Sequence, residues 1–166
     1  MDLLPSADQQ ELVAAAAEFF AEQVPIGAIR ERRAEPAAIA PKVWVEGAQL
    51  GLLGLAADEA VGGSGRPLED EVLLFRELGR ALVPGPFLGS VIGARLAALS
   101  GAAEPARFVV EGHTLVAPAL LRVDDRSATV ADGVLTGRIR LLDPAGAEYA
   151  LVVTDSGAGL VATADL

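Results

Sequence analysis

The chain changes character near residue 105, and this switch constrains its fold more than any other feature of the sequence. Before it, apolar residues recur at helical spacing, as at Leu12, Ala16 and Phe20. After it, short apolar or β-branched runs alternate with turn residues such as Asp132-Gly133, a hairpin signal. The order predicts an α+β protein, with an all-helical domain over residues 1–104 followed by part of an antiparallel barrel or sheet domain over residues 105–166.

Capping residues, prolines and glycines predict where the helices begin and end. Ser6 with Gln9 three residues later forms a capping box, and Pro25 ends the helix that follows. Further helices are predicted over Ile26–Arg33, from Pro41, from Pro67 and over Phe87–Leu99, the last closed by Gly101. The helix after Pro67 has an apolar side that consists of Leu74, Phe75, Leu78 and Leu82.

Strands are expected in six runs of the second part: Phe108–Val110, Thr114–Leu121, Ala128–Ala131, Val134–Leu142, Tyr149–Thr154 and Leu160–Thr163. Turns are expected between them, at Asp124-Asp125, Asp132-Gly133, Pro144-Ala145-Gly146 and Ser156-Gly157. A few short strands leave open edges and an unburied face unless another element covers them. We therefore expect a partner chain or further residues to cover this sheet.

Composition excludes several classes of function. The chain has no cysteine, which removes disulfides, thiolate metal sites and a cysteine nucleophile. Its net charge of −10 gives no basic face for a nucleic acid. The longest uncharged apolar stretch, Ala81–Ala94, contains two prolines and is shorter than the roughly 20 residues of a membrane span. With no secretory signal at the start, we expect a cytoplasmic protein that binds neither nucleic acid nor membrane.

Taken one by one, the polar motifs predict no active site. Gly62-Gly63-Ser64-Gly65 lacks the lysine of a phosphate-binding loop and suits a flexible turn. His113 is the only histidine and has no neighbouring partner, so a surface position is expected. Glu69-Asp70-Glu71 suits the first turn of a helix better than a metal site. Trp44 is most simply a core or interface residue.

A combination of motifs nevertheless resembles one family. The segments Gly51-Leu52-Leu53-Gly54-Leu55, Gly62-Gly63-Ser64-Gly65 and Phe75-Arg76-Glu77-Leu78-Gly79-Arg80-Ala81-Leu82 are similar, in order and approximate spacing, to the N-terminal helical domain of acyl-CoA dehydrogenases. The resemblance covers about residues 1–103, and a looser one over residues 135–153 extends to the family's β-domain. Each segment alone is weak, but together they are specific.

This resemblance implies FAD-dependent α,β-desaturation of an acyl-CoA thioester, as in the breakdown of fatty acids or steroid side chains. In the family a carboxylate removes the α-proton while FAD takes the β-hydrogen as hydride. The base is a glutamate of a C-terminal helical domain, which is expected to lie outside residues 1–166. No glutamate of this chain is therefore assigned a catalytic role.

The family's pattern also identifies candidate binding residues and departures. The helix after Pro86 corresponds to one that lines the family's acyl pocket, so Gly89, Ser90 and Gly93 are candidate substrate residues; close helix packing is the alternative. Leu141 stands where the family has a tryptophan that packs on the flavin, and Ile139 replaces a lysine. The segment Ala117–Asp125 lacks the family's flavin loop, Thr-Glu-x-x-x-Gly-Ser.

Two further classes of function remain open beside an active dehydrogenase subunit. Some family members are hetero-oligomers in which one type of subunit provides the complete flavin site and the base. The resemblance is therefore also consistent with a non-catalytic partner that stabilises a flavin-bearing subunit, or with a truncated copy. We expect a homo- or hetero-oligomer with another dehydrogenase subunit.

Overall fold

The computed structural model describes residues 4–120, 129–131, 134–155 and 157–166. Its first part is helical. The helices are α1 (Ala7–Gln23), α2 (Ile26–Glu31), α3 (Pro41–Gln49), α4 (Leu68–Arg80), α5 (Phe87–Leu99) and α6 (Ala103–Val110), with short 3₁₀ turns at Arg32–Ala34, Glu59–Val61 and Thr163–Asp165. The capping box of Ser6 and Gln9 is formed at the start of α1, and α5 has the predicted bounds.

The strands follow the helices, as predicted, and they form two sheets. They are β1 (Leu115–Leu120), β2 (Thr129–Ala131), β3 (Val134–Thr136), β4 (Arg140–Leu141), β5 (Ala147–Thr154) and β6 (Gly157–Ala162). One sheet has the order β4-β1-β5-β6, and β2 pairs with β3 in the other. The α+β class is confirmed. The larger sheet is mixed rather than antiparallel, because β1 and β5 run parallel and only the other pairs are antiparallel.

Two apolar clusters hold these elements together. The first lies among the helices and includes Phe20, Trp44 and Leu74. The second joins α5 and α6 to the sheet, since Ala94 and Val109 pack with Val116 of β1. Helix α5 contributes to both clusters, so it links the sheet to the first cluster of helices.

Three local predictions were wrong. The segment Phe108–Val110 is the end of α6 and not a strand, so a helix crosses the boundary expected at residue 104. Leu82, expected on the apolar side of α4, is exposed and has a left-handed φ of 53°. The run Val134–Leu142 is interrupted at Gly137, whose φ is 128°, and its two halves join different sheets. The expected turns at residues 124–125 and 132–133 lie outside the described residues.

Within the described part of the chain, no single helix is long and apolar enough to cross a membrane. The segments Ala7–Gln23 and Ile26–Ala34 meet that criterion of length and composition only as a pair with a 49° bend between them.

Candidate functional site

The glycine-rich motifs are structural. Residues 54–57 and 63–66 lie side by side, joined by the amides of Ser64, Gly65 and Arg66, which donate to the carbonyls of Gly54, Ala57 and Leu55. A Cβ atom on Gly63 would lie 2.1 Å from the carbonyl oxygen of Ala57. Only glycine permits this approach of two backbones. The expected turn is thus confirmed.

Helix α4 turns two carboxylates of its first turn into the protein, which the sequence did not reveal. Asp70 is 1% exposed and accepts hydrogen bonds from Gln9 Nε2, at 2.6 Å, and from Arg66 Nε. Glu71 accepts one from Arg95 Nη1 of α5 at 3.3 Å. These pairs connect α4 to α1 and to α5. A buried carboxylate is stable only when it is paired in this way.

The two carboxyl groups differ in their proton affinity. Burial works against the charge of Asp70, but the hydrogen bonds from Gln9 and Arg66, with the charge of Arg66, outweigh it and lower the pKa of this carboxyl. Burial dominates at Glu71 and raises its pKa, although Arg95 offsets part of the effect. The ionised form therefore favours the fold at Asp70 and opposes it at Glu71.

Replacing Asp70 with asparagine is expected to lower the free energy of unfolding by about 1–3 kcal/mol at neutral pH. The loss should shrink as the pH falls below about 4, because protonation then removes the same charge from the parent protein. Glu71→Gln is the matched control with the opposite trend. The free energy of unfolding of the parent falls as the pH rises through the raised pKa of Glu71. Glu71→Gln therefore lowers this free energy least at neutral pH. Urea denaturation at neutral pH and below about pH 4 measures how each substitution changes the free energy of unfolding. If the effect of Asp70→Asn did not depend on pH, the ionised carboxylate of Asp70 would not stabilise the fold.

The three candidate substrate residues lie on the face of α5 that packs against β1. Cβ atoms on Gly89 and Gly93 would lie 2.2 Å from the carbonyl oxygen and 3.0 Å from the side chain of Val116, respectively. Ser90 is fully buried, and its Oγ accepts a hydrogen bond from the Val116 amide at 3.1 Å. Strand β1 thus fills the space beside these small residues, which agrees with the close packing that the sequence analysis gave as the alternative to a pocket. Contact of any of them with an acyl group stays a prediction.

The structure instead has an apolar cleft of about 340 Å³ where the helices meet the sheet. This volume falls within the range of about 300–1,000 Å³ that is usual for ligand sites. Four separate segments form its walls: residues 36–45, Gly85-Pro86, Gly112 with Leu115, and the turn between β4 and β5. The cleft suits an uncharged apolar group. We call it the junction cleft.

Trp44 forms one wall of the junction cleft. Its ring is 4.7 Å from that of Phe87, and its pyrrole edge faces Gly112. The buried indole Nε1 has no hydrogen-bond partner among the described residues. Trp44 was predicted to be a core or an interface residue, and it lies in the core. It is also part of the candidate site.

Asp143 closes the other side of the junction cleft. It lies in the β4–β5 turn with a left-handed φ of 45°, and its Oδ2 accepts a hydrogen bond from the Gly85 amide at 3.2 Å. Gly85 has a φ of 103°, and a Cβ there would lie 2.9 Å from Ile39. Glycine is therefore required at this position, and the contact joins the turn before α5 to the sheet across 58 residues of sequence.

The described residues do not fit a flavin. Leu141 lies in the edge strand β4, half-buried and paired with Ala119, and offers no aromatic surface. Tyr149 is the only aromatic residue in the described strands, and it packs against the second apolar cluster.

Two further polar residues, His113 and Arg32, lie outside the lining of the junction cleft. His113 is exposed, 3.7 Å from Glu111, as expected for a surface position. Arg32 donates to the carbonyl of Ala37 beside the junction cleft, at 3.1 Å. Within the described ranges, no group of three or more histidine, aspartate or glutamate residues could hold a metal ion.

Comparison with known proteins identifies the family to which this chain belongs. Residues 6–111 match the family of the acyl-CoA dehydrogenase N-terminal domain. A relative from Mycobacterium tuberculosis, acyl-CoA dehydrogenase IpdE2, is 33% identical over 110 residues, which are 66% of this chain and 34% of the relative. The chain therefore belongs to the acyl-CoA dehydrogenase family.

Solved structures extend the likeness to the sheet. The ChsE4-ChsE5 complex from Mycobacterium tuberculosis matches with a TM-score of 0.79 and 26% identity, over 98% of this chain and 49% of that one. The G363A variant of the Tcur3481-Tcur3483 steroid acyl-CoA dehydrogenase has the same fold, with a TM-score of 0.66 and 24% identity, over 92% of this chain and 46% of that one. The chain thus spans about a third of the length of its curated relative and about half that of these structures.

Proposed function

We propose that this chain is a cytoplasmic subunit of an acyl-CoA dehydrogenase assembly that forms an α,β double bond in a fatty acyl or steroid side-chain thioester. The junction cleft is the observation that carries the proposal, because it offers an apolar site of ligand size at the meeting of helices and sheet. In this assembly the chain would bind the apolar part of the acyl group. The base and the flavin would come from other parts of the assembly.

A non-catalytic role in that assembly is favoured by the residues around Leu141. They supply no aromatic surface for FAD, so no redox step is assigned to this chain. Exposed apolar residues support a covering partner. Helix α5 has only two polar side chains, Ser90 and Arg95, and its residues Leu88, Ile92 and Leu99 are exposed. A helix of this composition is normally buried on every side.

Purification of the chain, alone and with a flavin-bearing acyl-CoA dehydrogenase chain from the same organism, tests this proposal. The isolated chain is expected to show no visible flavin absorbance even when FAD is supplied. The co-expressed pair should purify together, carry FAD and desaturate an acyl-CoA. Flavin bound by the isolated chain would exclude the non-catalytic role. A stable monomer that binds neither partner nor acyl-CoA would exclude the assembly itself.

A further inference from the structure

We infer that Asp143 is the specificity-determining residue of the junction cleft, and that it admits uncharged apolar groups while rejecting those with an anionic end. The inference rests on the proposed role of this cleft in binding an acyl group. It concerns which acyl groups enter: hydrocarbon chains or ring systems, rather than acyl groups that carry a second, free carboxylate.

Asp143 is the only charged residue among the described residues that line the cleft. The other lining residues are apolar or glycine, so nothing in the described lining offers a cation to an anionic group. Asp143 itself is exposed and has no ion pair with a described residue. Its negative charge therefore acts on whatever approaches the cleft from solvent.

The structural role of Asp143 does not require a charge. Its side chain accepts one hydrogen bond, from the Gly85 amide, and the side-chain oxygen of asparagine could accept the same bond. Its left-handed φ of 45° is also one that asparagine tolerates. The charge is thus separable from the contact that holds the two loops together, and its remaining effect is on the ligand.

Electrostatics gives the direction and size of that effect. A carboxylate within about 4–6 Å of Asp143 would be repelled by roughly 1 kcal/mol in a solvent-exposed setting, which corresponds to about fivefold weaker binding. A neutral group loses nothing. Asp143 would thus discriminate by repulsion: it weakens the binding of an anionic ligand and leaves the binding of a neutral ligand unchanged.

Trp44 supplies the measurement, since it is the only tryptophan of the chain and lies in the wall of the cleft. Its fluorescence can be titrated with 1-decanol and with decanoate, which share a chain length and differ in charge at about pH 8. Asp143→Asn removes the charge and keeps an acceptor, while Asp143→Gly suits the backbone angle and removes both. Glu18→Gln, on the exposed side of α1, removes one negative charge outside the cleft lining.

We expect the preference for decanol over decanoate to fall about fivefold in both Asp143 variants and to be unchanged in Glu18→Gln. Added salt should reduce the preference of the parent toward that of the variants. If both ligands bind but the ratio of their dissociation constants is the same in the parent and in the Asp143 variants, the inference is wrong. The proposed function of the cleft as an acyl site would then still stand. If neither ligand binds to the parent, the proposed function of the cleft fails as well.

Discussion

Replacing Gly89 with alanine is expected to lower the free energy of unfolding by about 3 kcal/mol or more. The added Cβ atom would lie 2.2 Å from the carbonyl oxygen of Val116 and 2.7 Å from Cδ of Pro118. A backbone oxygen cannot rotate away as a long side chain can, so α5 and β1 must separate. That separation also lengthens the hydrogen bond between the Val116 amide and Ser90, and it opens the second apolar cluster.

Gly79→Ala is the matched control for this substitution. Gly79 lies in α4, and a Cβ atom there would meet nothing within 4 Å. Alanine should raise the free energy of unfolding by about 0.5–1 kcal/mol, because it loses less backbone entropy on folding than glycine does. Urea denaturation followed by circular dichroism compares both variants with the parent. If Gly89→Ala unfolds at the same urea concentration as the parent, α5 does not pack on β1 as the structure has it.

The helical part could be predicted well because its boundaries are encoded locally. Pro86 and Gly101 set the ends of α5, and the side chains of Ser6 and Gln9 cap α1 through bonds between near neighbours. Such signals need no knowledge of the rest of the chain. The same is true of the Gly63 turn, where the sequence allows a backbone approach that only glycine permits.

Predictions failed where distant contacts decide the structure. Phe108, Val109 and Val110 have side chains that favour strands, but Val109 and Val110 bury one helical face against the second apolar cluster. Packing therefore overrides the intrinsic preference. The parallel pairing of β1 with β5 could not be predicted either, because register between strands about 30 residues apart is set by the burial of both, not by a turn.

The junction cleft could not be found from the sequence for a related reason. Its walls come from four segments that are individually ordinary: a proline-containing connector, a glycine turn, the start of β1 and the β4–β5 turn. Asp143 resembles any aspartate that precedes a proline in a turn. The small residues Gly89 and Gly93 do carry a signal of close approach, but the sequence cannot say whether a strand or a ligand approaches them.

Trp44→Ala is expected to lower the free energy of unfolding by about 3–5 kcal/mol, since Trp44 is 2% exposed and packs on Phe87 in the first apolar cluster. It should also weaken the binding of decanol, measured by calorimetry, because the cleft loses an apolar wall.

Trp44→Phe distinguishes the loss of side-chain volume from the loss of a hydrogen bond. The Trp44 indole N–H has no partner among the described residues, so phenylalanine loses no hydrogen bond there and removes an unsatisfied buried donor. We therefore expect Trp44→Phe to cost about 1 kcal/mol and to preserve most of the decanol binding. If Trp44→Phe were as destabilising as Trp44→Ala, the indole N–H would have to be bonded in the folded protein, and the apolar account of this wall would be wrong.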